Sequence, residues 1–160
     1  MIDKELAEKL LEFLRNYLNF YKSFLEIESK KYSDLANNNV ATLDAHVRNE
    51  EAFMLKARGL ELERDKLVAQ AGGPKSTFRQ LIPMFEPALQ PQAKSIFDEL
   101  SQVTLNLKET NLRCNQLTEL KLHKIEKDIN ILKNNPELQR IYSSKAVEGA
   151  TPPSILSKKV

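Results

Sequence analysis

The residues able to do chemistry in this chain are few, and each has a plain structural alternative. His46 and Glu50 lie four residues apart, as do Glu119 and His123, and that spacing places an imidazole and a carboxylate on one helix face where a metal could sit. A di-metal site in a helical bundle needs a Glu three residues before the His, and Leu43 and Leu120 stand at those positions. Both pairs therefore read as surface helix pairs. Cys114 falls on an apolar stripe between Leu107 and Leu117, where cysteine serves as a small core hydrophobe. A reactive thiol would want a cation in a partly exposed site, and the adjacent Arg113 points elsewhere on a helix. One cysteine forms no internal disulfide, and one thiol with two histidines is a poor ligand supply for zinc. The expectation is a reducing compartment, no metal and no cofactor. The sequence also lacks a glycine-rich phosphate loop, a serine elbow or a kinase-like signature, so no enzyme is expected.

The remaining polar candidates point to binding. Asn106, Asn111 and Asn115 fall in the middle of an expected helix, where Asn is intrinsically unfavourable. Asn111 and Asn115, four apart beside Cys114, either form a polar layer that fixes helix register or are partly exposed. Lys121, Lys124 and Lys127 line one face, but Glu126 and Asp128 interrupt them, which suits a solvated edge. Across the chain 24 Lys and Arg nearly balance 22 Asp and Glu, for a net charge of +2. These charges alternate in sign, whereas nucleic-acid binding draws on clustered, unopposed cations.

Three long helices must position these residues. With only 4 glycines and no long Val/Ile runs, the chain lacks what a parallel α/β fold needs. Over residues 3–37, Leu6, Leu10, Phe13, Tyr17, Phe20, Phe24 and Ile27 recur in steps of four and three. A second stripe runs beside them through Leu11, Leu14, Leu18, Tyr21, Leu25, Tyr32 and Leu35. Two adjacent stripes make a broad apolar face that asks for at least two neighbouring helices. Asp3 is the expected cap. Asn37, Asn38 and Asn39 break the pattern and a second helix follows over 40–71, half exposed because Glu50, Glu51, Glu61 and Arg64 fall near core-facing phases.

Gly72, Gly73 and Pro74 stop that helix, and a connector bearing Pro83 and Pro87 leads to a third helix over 91–134, with one short helix expected near 76–82. The expected architecture is all-α: an elongated antiparallel bundle of three long helices over residues 1–135, with a proline-containing connector and a partly mobile tail over 136–160. In the tail, residues 137–146 have the pattern for a helical turn or two, and Gly149, Pro152 and Pro153 prevent a long helix. The start of the chain lacks the basic-then-apolar order of a signal peptide, and no stretch approaches the ~20 apolar residues that span a bilayer. A cytoplasmic location is expected.

Arranged in this order, the sequence resembles the FlgN-type flagellar export chaperones over nearly its whole length. The resemblance rests on the spacing of the first helix, on Glu50-Glu51 followed by Leu62-Glu63-Arg64 and Leu67, and on the proline-bearing connector. Asn111-Leu112-Arg113-Cys114-Asn115-Gln116-Leu117 is similar to the family's Asn-x-x-x-Asn-x-Leu signature, and Ile141-Tyr142 with the later Gly149 to its tyrosine-then-glycine element. It implies binding of the hook-filament junction proteins FlgK and FlgL through their C-terminal helices, and delivery to the export gate protein FlhA, with Tyr142 as the gate contact.

The residues support a binding role of their own accord. A client helix with an apolar face needs a groove, filled by anchors at helical spacing. Leu117, Ile125, Ile129 and Leu132 continue the third stripe beyond the reach of shorter partners, and Leu138 and Ile141 of the tail extend it. Either a client covers these residues or the tail folds back over them. A homodimer is an expected state of the client-free chain, and two other readings compete: a homo-oligomeric coiled-coil scaffold or adaptor, and an amphipathic protein of the membrane surface.

Overall fold

The structure is a computed structural model that describes residues 1–147. Among them every regular element is helical: α1 (Lys4–Ala36), α2 (Leu43–Gly72), the short α3 (Phe78–Leu81), α4 (Gln90–Lys133) and α5 (Pro136–Val147). Two 3-10 turns, Val40–Thr42 and Ile82–Met84, join them. Gly149, Pro152, Pro153 and residues 154–160 lie outside the described residues. Contacts divide the chain into two compact units, the first Met1–Leu117 and the second from Thr118 onward, so the division falls within α4.

In the first unit α1 is the axis of the core, because both of its apolar stripes are used. Leu10, Phe13, Tyr17, Phe20 and Phe24 of one stripe are buried, as are Leu11, Leu14 and Leu18 of the other. Each such side chain contributes about 1.5–3 kcal/mol when removed from water. The start of α1 differs from expectation. The Asp3 side chain makes no capping bond; its backbone carbonyl instead accepts from the Ala7 N–H at 2.9 Å. Ile2 is buried and its N–H donates to the Met84 carbonyl at 2.9 Å, which ties the chain start to the connector.

The turn after α1 uses the left-handed backbone that asparagine tolerates, with Asn38 at φ 57°. Residues 40–42 form a 3-10 turn, so α2 begins at Leu43 rather than at 40. α2 then runs back along α1. Phe53 packs on Phe20 and Phe24 with ring centroids 5.4 and 5.2 Å apart, and the Tyr17 hydroxyl donates to Glu61. Val68 is the one α2 residue that is buried, while Leu60 and Leu67 are partly so.

Gly73 ends α2 at φ 97°, a backbone angle that a residue with a Cβ rarely adopts. The connector then turns inward: Phe78, Leu81 and Phe85 are buried against the first half of α1, Val68, Ala93 and Leu100. At the start of α4 the Gln90 side-chain amide donates to the Phe85 and Pro83 carbonyls at 2.9 and 3.2 Å. Farther along, α4 meets α1 through the Lys22–Glu99 ion pair and the Asn111–Glu28 hydrogen bond, so the two helices run in the same sense.

The second unit contains the end of α4 and α5. Asn135 caps α5, its Oδ1 accepting from the Glu137 and Leu138 N–H groups at 3.2 and 3.4 Å, and Pro136 occupies the first helical position. At 12 residues α5 is longer than the expected turn or two. The helix breakers Gly149 and Pro152 lie beyond its last residue, Val147, and leave room for it.

Candidate functional site

Two places gather the residues singled out by the sequence. The first is a buried polar layer contributed by three helices of the first unit. Glu28 of α1 is fully buried and Lys31, one turn on, nearly so. The Lys31 ammonium lies 2.9 Å from Glu50 of α2 and 3.2 Å from Glu28. The Asn111 amide of α4 donates to both carboxylates at 3.3 Å. The Cys114 thiol donates to the Glu28 backbone carbonyl at 3.7 Å, and the exposed Asn115 donates to Asn111 at 3.4 Å. Two carboxylates thus share one ammonium and one amide.

Burial opposes the charge on Lys31, but its hydrogen bond to Glu50 and the charges of Glu28 and Glu50 outweigh it, so its pKa lies above the ordinary value. Burial pushes the Cys114 thiol up to about 11, with Lys31 only partly offsetting it. A thiol held in that range is no nucleophile at neutral pH, and Cys114 serves as core.

The histidines take unrelated places. His46 does not pair with Glu50, which is drawn into the polar layer. Its Nε2 lies 2.6 Å from Asp34 across the α1–α2 turn, where the Thr42 hydroxyl also donates to Asp34 at 2.9 Å. The bond to His46, then that from Thr42, holds the Asp34 carboxyl below its usual range. His46 Nδ1 is buried without a hydrogen-bond partner. His123 is exposed. Among the described residues no three His, Cys, Asp or Glu side chains converge as metal ligands.

The second place is an apolar surface of the second unit. Ile125 is 49% exposed, while Ile129, Leu132 and Leu138 are half-buried. Ile141 and Tyr142 of α5 are 50% and 57% exposed, so Tyr142 is open to contact. Leu117, grouped with these residues by its spacing, is half-buried in the first unit instead. The spacing also held a residue that the stripe left out. Leu122 precedes Ile125, Ile129 and Leu132 at helical intervals and is 52% exposed. A run of apolar side chains standing in water at this spacing can dock an amphipathic helix. Lys124 and Lys127 are exposed around it, with Glu126 and Asp128 between them.

Among the described residues no helix is long and apolar enough to cross a membrane. Comparison with curated proteins and with solved structures gives no match. The model of one family, described as FlgN protein, matches residues 1–148. That match spans both units, the polar layer with Asn111 and Asn115, and the apolar surface up to α5, and it establishes that this chain belongs to the FlgN family, the family of flagellar export chaperones.

Proposed function

We propose that this chain is a cytoplasmic chaperone of flagellar type III export that binds the C-terminal helices of the hook-filament junction proteins FlgK and FlgL and delivers them to the export gate protein FlhA. It acts by binding, without catalysis. Membership of the family supports the general role. The observation that carries the finer reading is the half-exposed run Ile125, Ile129, Leu132, Leu138 and Ile141, apolar side chains left in water where a guest helix would bury them.

In this reading α1, α2 and the part of α4 up to Leu117 form the antiparallel bundle of the first unit. Asn111, with Asn115 at its edge, pins the register of that bundle by holding Glu28 and Glu50 together. Tyr142, exposed near the end of α5, is the gate contact. Each client side chain that fills the surface would contribute about 1.5–3 kcal/mol, so three or four anchors suffice for a stable yet reversible complex.

The test is co-purification of the chain with the C-terminal segment of a junction protein, repeated with Ile129→Asp and Leu132→Asp together. The parent should retain the segment and the double variant should lose it. Equal recovery from both would reject this surface.

A further inference from the structure

The apolar surface of the second unit has the spacing of a coiled-coil seam, and its borders carry charge. Leu122, Ile125, Ile129 and Leu132 follow one another at intervals of three, four and three, so they take the two core positions of successive heptads. At 3.6 residues per turn they fill an arc of about 80° on α4. Glu126 stands about 80° to one side of the middle of that arc and Asp128 about 80° to the other, while Lys133 lies on the Glu126 side, about two turns farther on. All three are exposed. None of them has an ion-pair partner among the described residues. Lys121, earlier on the Asp128 side, already has a partner. Lys124 and Lys127 are turned farther round the helix, about 120° and about 180° from the middle of the seam.

In a pair of helices, residues that border one seam lie beside those that border the other, where opposite charges attract and like charges exclude a wrong partner. Here two acids border Ile125 and Ile129 from both sides, and a base borders Leu132. A guest that buries these anchors therefore needs bases along both edges where it covers Ile125 and Ile129, and an acid where it covers Leu132. From Leu122 to Leu132 the seam is about 15 Å long, which matches a guest of about three turns. Its first and last turns are then the ones that meet these charges. The helix dipole favours acids in the first turn and bases in the last. A guest built that way fits this seam only antiparallel to α4, starting beside Lys133 and ending beside Glu126 and Asp128.

We propose that the charged borders of the seam select the guest: an amphipathic helix, acidic where it starts on the surface and basic where it ends, docked antiparallel to α4. The proposal rests on the guest-helix reading of this surface and adds which helices it accepts and in which direction.

The test uses the full chain and two labelled synthetic peptides with the same composition and the same apolar anchors. The first carries acids at the bordering positions of its first turn and bases at those of its last; the second has these charges exchanged. Fluorescence anisotropy at low salt gives the two affinities, for the parent and for a chain carrying Glu126→Lys, Asp128→Lys and Lys133→Glu together. The parent should bind the first peptide about tenfold more tightly, and the ratio of the two affinities should shift by at least about tenfold toward the second peptide in the variant. Because each peptide's own helicity counts equally for both chains, that shift reads the charge match alone. It should shrink in about 1 M salt, with helix content by circular dichroism the same for both chains. An unchanged ratio, with Ile129→Asp still abolishing binding of both peptides, would overturn the charge selection and leave the surface standing. A parent that prefers the second peptide would overturn the direction. Failure of both peptides to bind the parent, or binding that Ile129→Asp leaves intact, would overturn the guest-helix reading and the proposal with it.

Discussion

Replacing Lys31 by methionine removes the one ammonium shared by Glu28 and Glu50 while keeping a side chain of similar length. The two carboxylates, one fully buried, are left with the Asn111 amide as their shared donor. Removing one partner of a buried ion pair costs about 3–5 kcal/mol, against a total stability of about 5–15 kcal/mol for a domain. With a urea slope of about 2 kcal/mol per molar, the unfolding midpoint should fall by about 2 M. Urea titration followed by circular dichroism at 222 nm, a standard helix signal, gives the measurement. Lys9→Met, which breaks the exposed pair with Glu5, is the comparator and should leave the midpoint unchanged. Changing Glu28 and Glu50 to Gln in the Lys31→Met background should recover most of the loss. A Lys31→Met midpoint equal to that of the parent, or a loss untouched by the two Gln substitutions, would refute the view that the layer is held by charge.

Other predictions address single features. The Cys114 thiol, fully buried and pushed up to about 11, should react with Ellman's reagent at pH 8 only as fast as the core opens, and at once in denaturant; immediate reaction of the native protein would contradict its burial. Gly73→Ala forces a Cβ onto a backbone at φ 97° and should lower stability by about 1–3 kcal/mol in urea titration, whereas an unchanged midpoint would mean that α2 can end differently. Asp34 titrates below its ordinary value of 3.8 in the folded chain, so its contribution is complete above that value and is lost as pH falls through the lower folded one. Asp34→Asn should accordingly lower the thermal midpoint near pH 6 and have little effect near pH 2, and an equal effect at both would sink the His46–Asp34 account.

The long helices were legible because their apolar periodicity is a local signal. Leu10, Tyr17 and Phe24 mark the buried face of α1 without reference to any other element, and Gly73 marks the end of α2 through its backbone alone. The polar layer was half legible. Asn111 and Asn115 stand out as mid-helix asparagines, but no local motif singles out Glu28 and Lys31. Their one signal was position, four and seven residues after Phe24 on a stripe otherwise apolar. What makes them core residues is Glu50, 19 positions beyond Lys31, and Asn111, 83 beyond Glu28, and a periodicity window sees neither. His46 was assigned to Glu50 for the same reason, since its partner Asp34 lies across a turn. α5 exceeds its expected length because Asn135 and Pro136 start it directly after α4, while the breakers Gly149 and Pro152 stand beyond Val147.

The account depends most on the apolar surface of the second unit being where a guest helix binds. Hydrogen exchange of the full chain, with and without a peptide matching the C-terminal helix of a junction protein, measures this directly. The account predicts new protection in residues 118–147, strongest around Ile125, Ile129 and Leu132, with α1 and α2 little changed. Protection confined to α1 and α2, with 118–147 exchanging as in the free chain, would contradict it.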